Sequence, residues 1–176
     1  MADTRLGPEE WVRAGLKALA KSGASALKAD KLAGSLGVSR GSFYWHFADV
    51  PAFHAAVLKR WREVALENII KEIETTSDPL EALLQRAFAG GSSIERAVRA
   101  WATVDAQARK AVDAVDTEHI NYLQKLLTDA GITSEVAASR ARVMNWTYLG
   151  FAISSSRLEG ASLKQLIGEL LYLFRR

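Results

Sequence analysis

The chain contains no cysteine and only three prolines among its 176 residues. Without cysteine there is no disulfide bond, no thiolate nucleophile and no cysteine-ligated metal site. Few prolines and a hydrophobic fraction of 49% are typical of a folded protein built mostly from helices. The sequence also lacks an apolar leader and any run near the roughly 20 apolar residues that a membrane-spanning helix needs. We therefore expect an all-α, cytoplasmic protein.

Several motifs that mark enzymes are also missing. The sequence has no Gly-x-Ser-x-Gly, no phosphate-binding loop ending in Gly-Lys-Ser/Thr, no dinucleotide fingerprint and no His-Glu-x-x-His. The segment Gly90-Gly91-Ser92 is better explained as the end of one helix followed by the cap of the next. We predict no catalytic residue, no metal ion and no cofactor.

Positive charge is concentrated in the first third of the chain. Residues 1–62 contain ten Lys or Arg against five Asp or Glu, whereas residues 63–176 contain thirteen against fifteen. A local excess of this kind favours binding to phosphates, because it neutralises them and releases their counterions.

The most informative segment is Gly37–Phe47, which has the pattern of a tight turn followed by a short helix. Gly37 can adopt the positive φ that ends a helix, and the hydroxyl of Ser39 can accept a bond from the next helix's first N–H groups. The helix is predicted to begin at Ser39 or Arg40. Phe43 and Phe47 lie four residues apart, so both face the core.

The other side of this short helix is polar and suited to DNA. The guanidinium of Arg40 can donate two parallel hydrogen bonds to O6 and N7 of guanine. Gly41 lets the backbone approach a groove closely. Ser42, Tyr44 and His46 carry short or rigid polar groups that can bind phosphate oxygens. The sequence therefore predicts that this side of the helix binds DNA.

A second helix precedes the turn, which completes a helix-turn-helix pattern. It is predicted over Lys28–Leu36, where Leu32 and Leu36 share a face and the small Ala33 permits a close helix crossing. A three-helix core of this kind also serves protein contacts alone in some proteins. The local excess of positive charge favours DNA over that alternative.

Helices are predicted on both sides of this pair. One extends from Pro8 to Ser22, and another from Val50, capped by Asp49, to about Thr75. Five more helices are predicted to begin at Asp78-Pro79, Ser92-Ser93, Asp105, Thr133-Ser134 and Ser162. The helix from Thr133-Ser134 is predicted to end near Glu159. No strand is predicted. The resulting division is a helix-turn-helix domain, residues 1–50 with the start of the connecting helix to about 62, and a helical bundle, residues 51–176.

The last two helices carry more apolar surface than a body of about 100 residues can cover. We expect part of this surface to form a homodimer, giving two recognition helices related by a two-fold axis. Burial in the monomer core alone is the alternative. The predicted dimer interface consists of Trp146, Leu149, Ile153, Leu163, Leu166, Ile167, Leu170 and Phe174.

Residues 8 to about 62 resemble the N-terminal domain of the TetR (tetracycline-repressor) family of bacterial transcription regulators. The resemblance rests on Leu32-Ala33, Gly37-Val38-Ser39 and the run from Gly41 to Phe47. It implies a DNA-binding regulator, more often a repressor, and adds Lys28 and Ser39 to the DNA contacts. Lys28 replaces the Thr that usually caps the second helix, and Val50 replaces a Lys that usually contacts the DNA backbone.

The resemblance further implies a cavity in the helical bundle of each protomer. A molecule bound there tilts the connecting helix that begins at Val50 and so changes DNA affinity. A mechanism of this kind needs a small-molecule effector that binds with different affinity to two conformations of the dimer, which differ in the distance between the helix-turn-helix domains. The candidate lining residues are Trp61, Phe88, Trp101, His119, Tyr122 and Tyr148. For each aromatic residue, a place in the core is the alternative, and His119 with Asp116 is read as a solvated charged face rather than a metal site. A body that binds a protein partner and no small molecule also remains open.

Overall fold

The computed structural model describes residues 6–89, 93–154 and 159–175, and within these ranges it contains helices and no strand. The α-helices are α1 (Pro8–Ser22), α2 (Ala29–Leu36), α3 (Arg40–Tyr44), α4 (Val50–Arg62), α5 (Asn68–Ile73), α6 (Pro79–Ala89), α7 (Ser93–Ala102), α8 (Ala106–Asp129), α9 (Ser134–Ile153) and α10 (Gly160–Arg175). A 3₁₀ turn spans Ala24–Ala26, and a π-helical turn spans Glu63–Glu67. In the described ranges, no helix is long and apolar enough to cross a bilayer. The all-α prediction is confirmed.

The chain forms two compact units. Unit 1 is Met1–Glu63 with Ser93–Val112, and unit 2 is Val64–Ser92 with Asp113–Arg176. This division differs from the one expected from sequence, because α7 packs against α1 and so joins unit 1.

Unit 1 is built around a cluster of aromatic rings. Phe43 contacts Trp11, Phe47 and Phe53, with ring centroids 5.2 to 5.4 Å apart, and Phe47 lies 5.0 Å from Phe53. Trp11, Phe43 and Phe53 are completely buried. Edge-on ring contacts of this kind add to the free energy gained from burial alone.

Helices α1 and α4 approach closely at Gly15. A Cβ atom added there would lie 2.7 Å from Cζ of Phe53 and 3.0 Å from a methyl carbon of Val57. Both of those side chains are fully buried and cannot move aside at low cost. Glycine at this position is therefore a packing requirement.

The sequence predicted α4 as one helix to about Thr75. Helical residues extend from Val50 to Ile73, and the sequence did not predict the π-helical turn at Glu63–Glu67 within them. A π turn inserts extra backbone without a Gly or Pro to mark it, so the apolar periodicity gives no sign of it. The cap of α4 is as predicted, since Asp49 Oδ1 accepts from the Ala52 N–H at 2.7 Å.

Unit 2 has its own apolar core, formed by α6, α8, α9 and α10. Its buried members include Leu84, Phe88, Leu127, Met144 and Ile167. Helix α9 ends at Ile153 rather than near Glu159. The predicted helix end at Gly90-Gly91 and the cap at Ser92 lie outside the described residues.

Replacing Gly15 by Ala is expected to destabilise the protein by about 1 to 3 kcal/mol, because overpacking at Phe53 outweighs the helix-forming preference of Ala. At Gly34, an exposed position of α2, an added Cβ meets nothing within 4 Å. Gly34→Ala is the matched control and should stabilise by up to about 1 kcal/mol. Urea unfolding followed by circular dichroism measures both. A Gly15→Ala protein as stable as the wild type would contradict the packing account.

Candidate functional site

The turn before α3 is set by backbone hydrogen bonds around Gly37. Gly37 has φ 69° and ψ 27°, the left-handed region that glycine occupies without strain. The Val38 N–H donates to the Ala33 carbonyl at 3.1 Å, and the Gly37 N–H donates to the Gly34 carbonyl at 3.3 Å. These two bonds form a Schellman motif, which closes α2 and redirects the chain into α3.

Helix α3 is only five residues long and is held in place by Phe43. Isolated helices of this length do not persist in water, because nucleation costs more than a few hydrogen bonds return. The buried ring of Phe43 supplies the missing stabilisation, as predicted from its spacing to Phe47. The polar side of α3 is thereby fixed at the surface.

The exposed side of α3 carries a linked pair, Arg40 and Tyr44. Arg40 Nη2 donates to the Tyr44 hydroxyl at 3.1 Å, and the guanidinium carbon lies 5.6 Å from the centre of the Tyr44 ring. The hydrogen bond to Tyr44 raises the pKa of Arg40, which stays protonated. Both side chains are exposed, as is Gly41. The tyrosine thus holds a permanent positive charge at the surface of the helix.

The other predicted DNA contacts lie nearby in sequence, with one correction. Ser39 is at the N-cap position of α3 but its hydroxyl makes no capping bond. Its carbonyl accepts from the Ser42 N–H at 3.0 Å. Lys28 is exposed at the N-cap of α2 and, as expected from the loss of Thr, makes no side-chain cap. Ser42 and His46 are half-buried.

Trp45 was missed as a candidate by reasoning from the sequence alone. It ends α3 and is 83% exposed, the same fraction as Val104. A singly exposed aromatic residue is common, but this one adjoins the exposed Tyr44 of the same short helix. The sequence did hold a sign of its exposure, because Trp45 lies two residues from both Phe43 and Phe47 and so falls off the helix face that they bury.

Part of the predicted dimer surface is exposed on α9. Val136, Val143, Trp146 and Ile153 are 41 to 63% exposed and follow the spacing seven, three, seven. Residues at these intervals lie along one face of a helix. We call these four residues the α9 face.

Three residues of α10 that the sequence placed at the dimer interface lie in the core of unit 2: Ile167, Leu170 and Phe174. An i, i+3, i+4 stripe marks which face of a helix is buried but not which surface buries it. Leu149, Leu163 and Leu166 are half-buried, whereas Tyr172 and Leu173, outside the predicted set, are exposed.

Unit 2 contains a cavity of about 70 Å³. Four predicted effector-binding residues line it: Phe88, His119, Tyr122 and Tyr148. Burial raises the pKa of Tyr122, and the carboxylate of Glu74 raises it further, so this hydroxyl is neutral at pH 7.

The other two predicted lining residues, Trp61 and Trp101, lie in unit 1 and do not line this cavity. Both are buried, and Trp101 packs edge-on against the ring of His54 at 4.9 Å. Aromatic residues at helical spacing fit a core and a ligand site equally well, so periodicity could not separate the two groups.

His119 does not lie on a solvated charged face, which corrects the sequence-based interpretation. Its Nε2 lies 3.1 Å from the carbonyl oxygen of Ala65, inside the π-helical turn. Because a carbonyl only accepts, Nε2 carries the proton and donates. The bond joins residues 54 positions apart, which local sequence patterns do not reveal.

Asn145 is a second residue that the sequence analysis missed. It lines the cavity, is only 3% exposed, and its side chain has no hydrogen-bond partner among the described residues. Its polar atoms are not fully enclosed, unlike the indole N–H groups of Trp11 and Trp61, so they border the open space of the cavity. The available signal was a lone polar residue continuing the small, buried positions Ala137 and Ala141 along α9.

Comparison with known proteins identifies the N-terminal segment. Residues 12–49 match the model of the bacterial regulatory proteins of the tetR family. None of the curated proteins compared with the chain matches it.

Solved structures share the fold over nearly the whole chain. A TetR-family transcriptional regulator from Mesorhizobium loti is 18% identical, with a TM-score of 0.71 and coverage of 95% of this chain and 94% of that one. A transcriptional regulator from Saccharomonospora viridis, solved in complex with choline, is 14% identical, with a TM-score of 0.71 and coverage of 96% and 95%. BioQ, solved with its double-stranded DNA operator, is 22% identical, with a TM-score of 0.51 and coverage of 97% and 98%.

The family match covers the helix-turn-helix whose geometry is described above, and the structural likeness extends the shared fold to the rest of the chain. Residues 12–49 thus match the tetR family of bacterial regulatory proteins, and the chain as a whole has the fold of the solved regulators.

Proposed function

We propose that the protein is a homodimeric repressor in the cytoplasm that binds a palindromic operator and leaves it when a small-molecule effector occupies unit 2. The observation that carries the DNA-binding part is the exposed side of α3, where Tyr44 holds the guanidinium of Arg40 outward. A dimer bound at an operator blocks transcription by occupancy alone.

The contacts with DNA divide into two kinds. Arg40 reads a guanine edge in the major groove, and Tyr44 orients it. Lys28, Ser39, Ser42 and His46 contact phosphates, while Gly41 permits the close approach of the backbone. The exposed indole of Trp45 packs against the sugar-phosphate backbone or a thymine methyl group, which would cover its apolar surface.

The second copy of the chain is proposed to cover the α9 face. Its exposed apolar side chains, with Tyr172 and Leu173 of α10, are supporting observations, since monomeric proteins rarely leave such surface open. A two-fold interface would bring each α9 against its own copy and present two α3 helices to successive major grooves. Among the residues expected there from sequence, Trp146 and Ile153 are the most exposed.

The cavity in unit 2 is the proposed effector site, with Phe88, His119, Tyr122 and Tyr148 in its lining. The bond from His119 to Ala65 supports a regulatory role, because it joins α8 to the backbone that continues from α4. An effector that prefers one arrangement of this segment would shift the population of DNA-binding dimers.

Replacing Arg40 by Ala should weaken operator binding by about 1 to 3 kcal/mol and relax the base preference at one position in each half-site. Lys28→Ala is the comparison variant. It should weaken binding to all sequences alike. It should also lower the slope of log binding constant against log salt concentration by about one released counterion per protomer. Gel-shift titrations on operator variants at several salt concentrations measure both effects. Unchanged base preference in Arg40→Ala would contradict its role as the reader.

Placing a charge on the α9 face should separate the dimer. Trp146→Glu is expected to sediment as a monomer at micromolar concentration and to bind operator DNA at least tenfold more weakly, because one α3 helix then acts alone. Val104→Glu, at an 83% exposed site in unit 1, is the matched control and should remain dimeric. Analytical ultracentrifugation distinguishes the two. A dimeric Trp146→Glu protein would mean that the copies associate elsewhere.

A further inference from the structure

We propose that the effector is a compact, uncharged and mostly apolar molecule with one amide-like polar group, and that Asn145 recognises this group. The inference rests on the proposed effector cavity and names the chemistry that the cavity selects.

The lining of the cavity is apolar apart from four side chains. Ala, Leu, Ile, Met and Phe residues form most of it, and the polar members are His119, Tyr122, Asn145 and Tyr148. No Asp, Glu, Lys or Arg is among the described residues that line it. An ion would lose its hydration there without gaining a counter-charge, so the cavity discriminates against charged ligands.

Among these polar side chains, Asn145 stands apart. His119 already donates to the Ala65 carbonyl, and Tyr122 is only half-buried. Asn145 is buried, yet both its carbonyl oxygen and its NH₂ group lack a partner within the described part of the chain. A side chain that offers one acceptor and two donors is satisfied by a ligand that also both donates and accepts.

The size of the cavity limits the ligand. A volume of about 70 Å³ admits on the order of five water-sized groups. A single small ring bearing one substituent is therefore the expected scale, and the ring faces of Phe88 and Tyr148 give it an apolar surface. The polar group then lies against Asn145 on α9.

The probes are four ring compounds of matched size: benzamide, benzoate, benzylamine and toluene. Binding to the full-length protein is measured by thermal shift and by ligand-observed NMR at pH 8. We expect benzamide to bind at least tenfold more tightly than benzoate or benzylamine. Equal or tighter binding of either ion would overturn the proposal, as would a failure of benzamide to bind.

Two variants separate recognition from structure. Asn145→Leu keeps the side-chain volume but removes the amide. It should lower benzamide affinity at least tenfold, leave toluene affinity unchanged or higher, and raise the melting temperature of the free protein. Asn121→Leu, at an exposed position of α8 outside the cavity, is the matched control and should bind benzamide as the wild type does.

If Asn145→Leu lowers the melting temperature and binds benzamide normally, the amide is structural and the proposal is wrong. Operator binding is measured in the same samples, so that a failure of the proposed repressor function can be distinguished from a failure of the proposed ligand chemistry. Loss of DNA binding in every sample would refute the repressor function, whereas selective benzamide binding with no effect on DNA would support the ligand chemistry and refute effector release.

Discussion

The burial of one ring, Phe43, is the interaction on which the DNA-binding surface depends. Helix α3 has five residues and cannot form by itself, so its position is determined by what Phe43 contacts: Trp11 of α1, Phe47 after the turn and Phe53 of α4. The close approach of α1 and α4 at Gly15 keeps this cluster dense. With the inner face fixed, the outer face of α3 is rigid and polar, which is the condition for reading a groove.

The helix-turn-helix could be predicted from sequence because its determinants are local. The left-handed Gly37, the i, i+4 pair of Phe43 and Phe47, and the Asp49 cap each act within a few residues, and each is found where it was expected. Ser39 lies at the predicted N-cap position, but its hydroxyl makes no capping bond.

Features of unit 2 that depend on distant contacts were not predictable in the same way. The hydrogen bond from His119 to Ala65 joins residues 54 positions apart, and Ala65 lies in the π-helical turn. Amphipathic spacing placed Ile167, Leu170 and Phe174 on one face, but only the packed structure shows that their own unit covers it. The same limit applied to Asn145, which lines a cavity assembled by the π-helical turn and by α5, α6, α8 and α9.

The most direct test of the central claim is the selection of DNA by the purified protein from a random pool of duplexes. The account predicts a two-fold symmetric sequence with half-sites centred about one helical turn, or a multiple of it, apart, and a guanine in each half-site whose enrichment disappears in Arg40→Ala. Selection of asymmetric sites, or no enrichment over non-specific duplex at low salt, would contradict it.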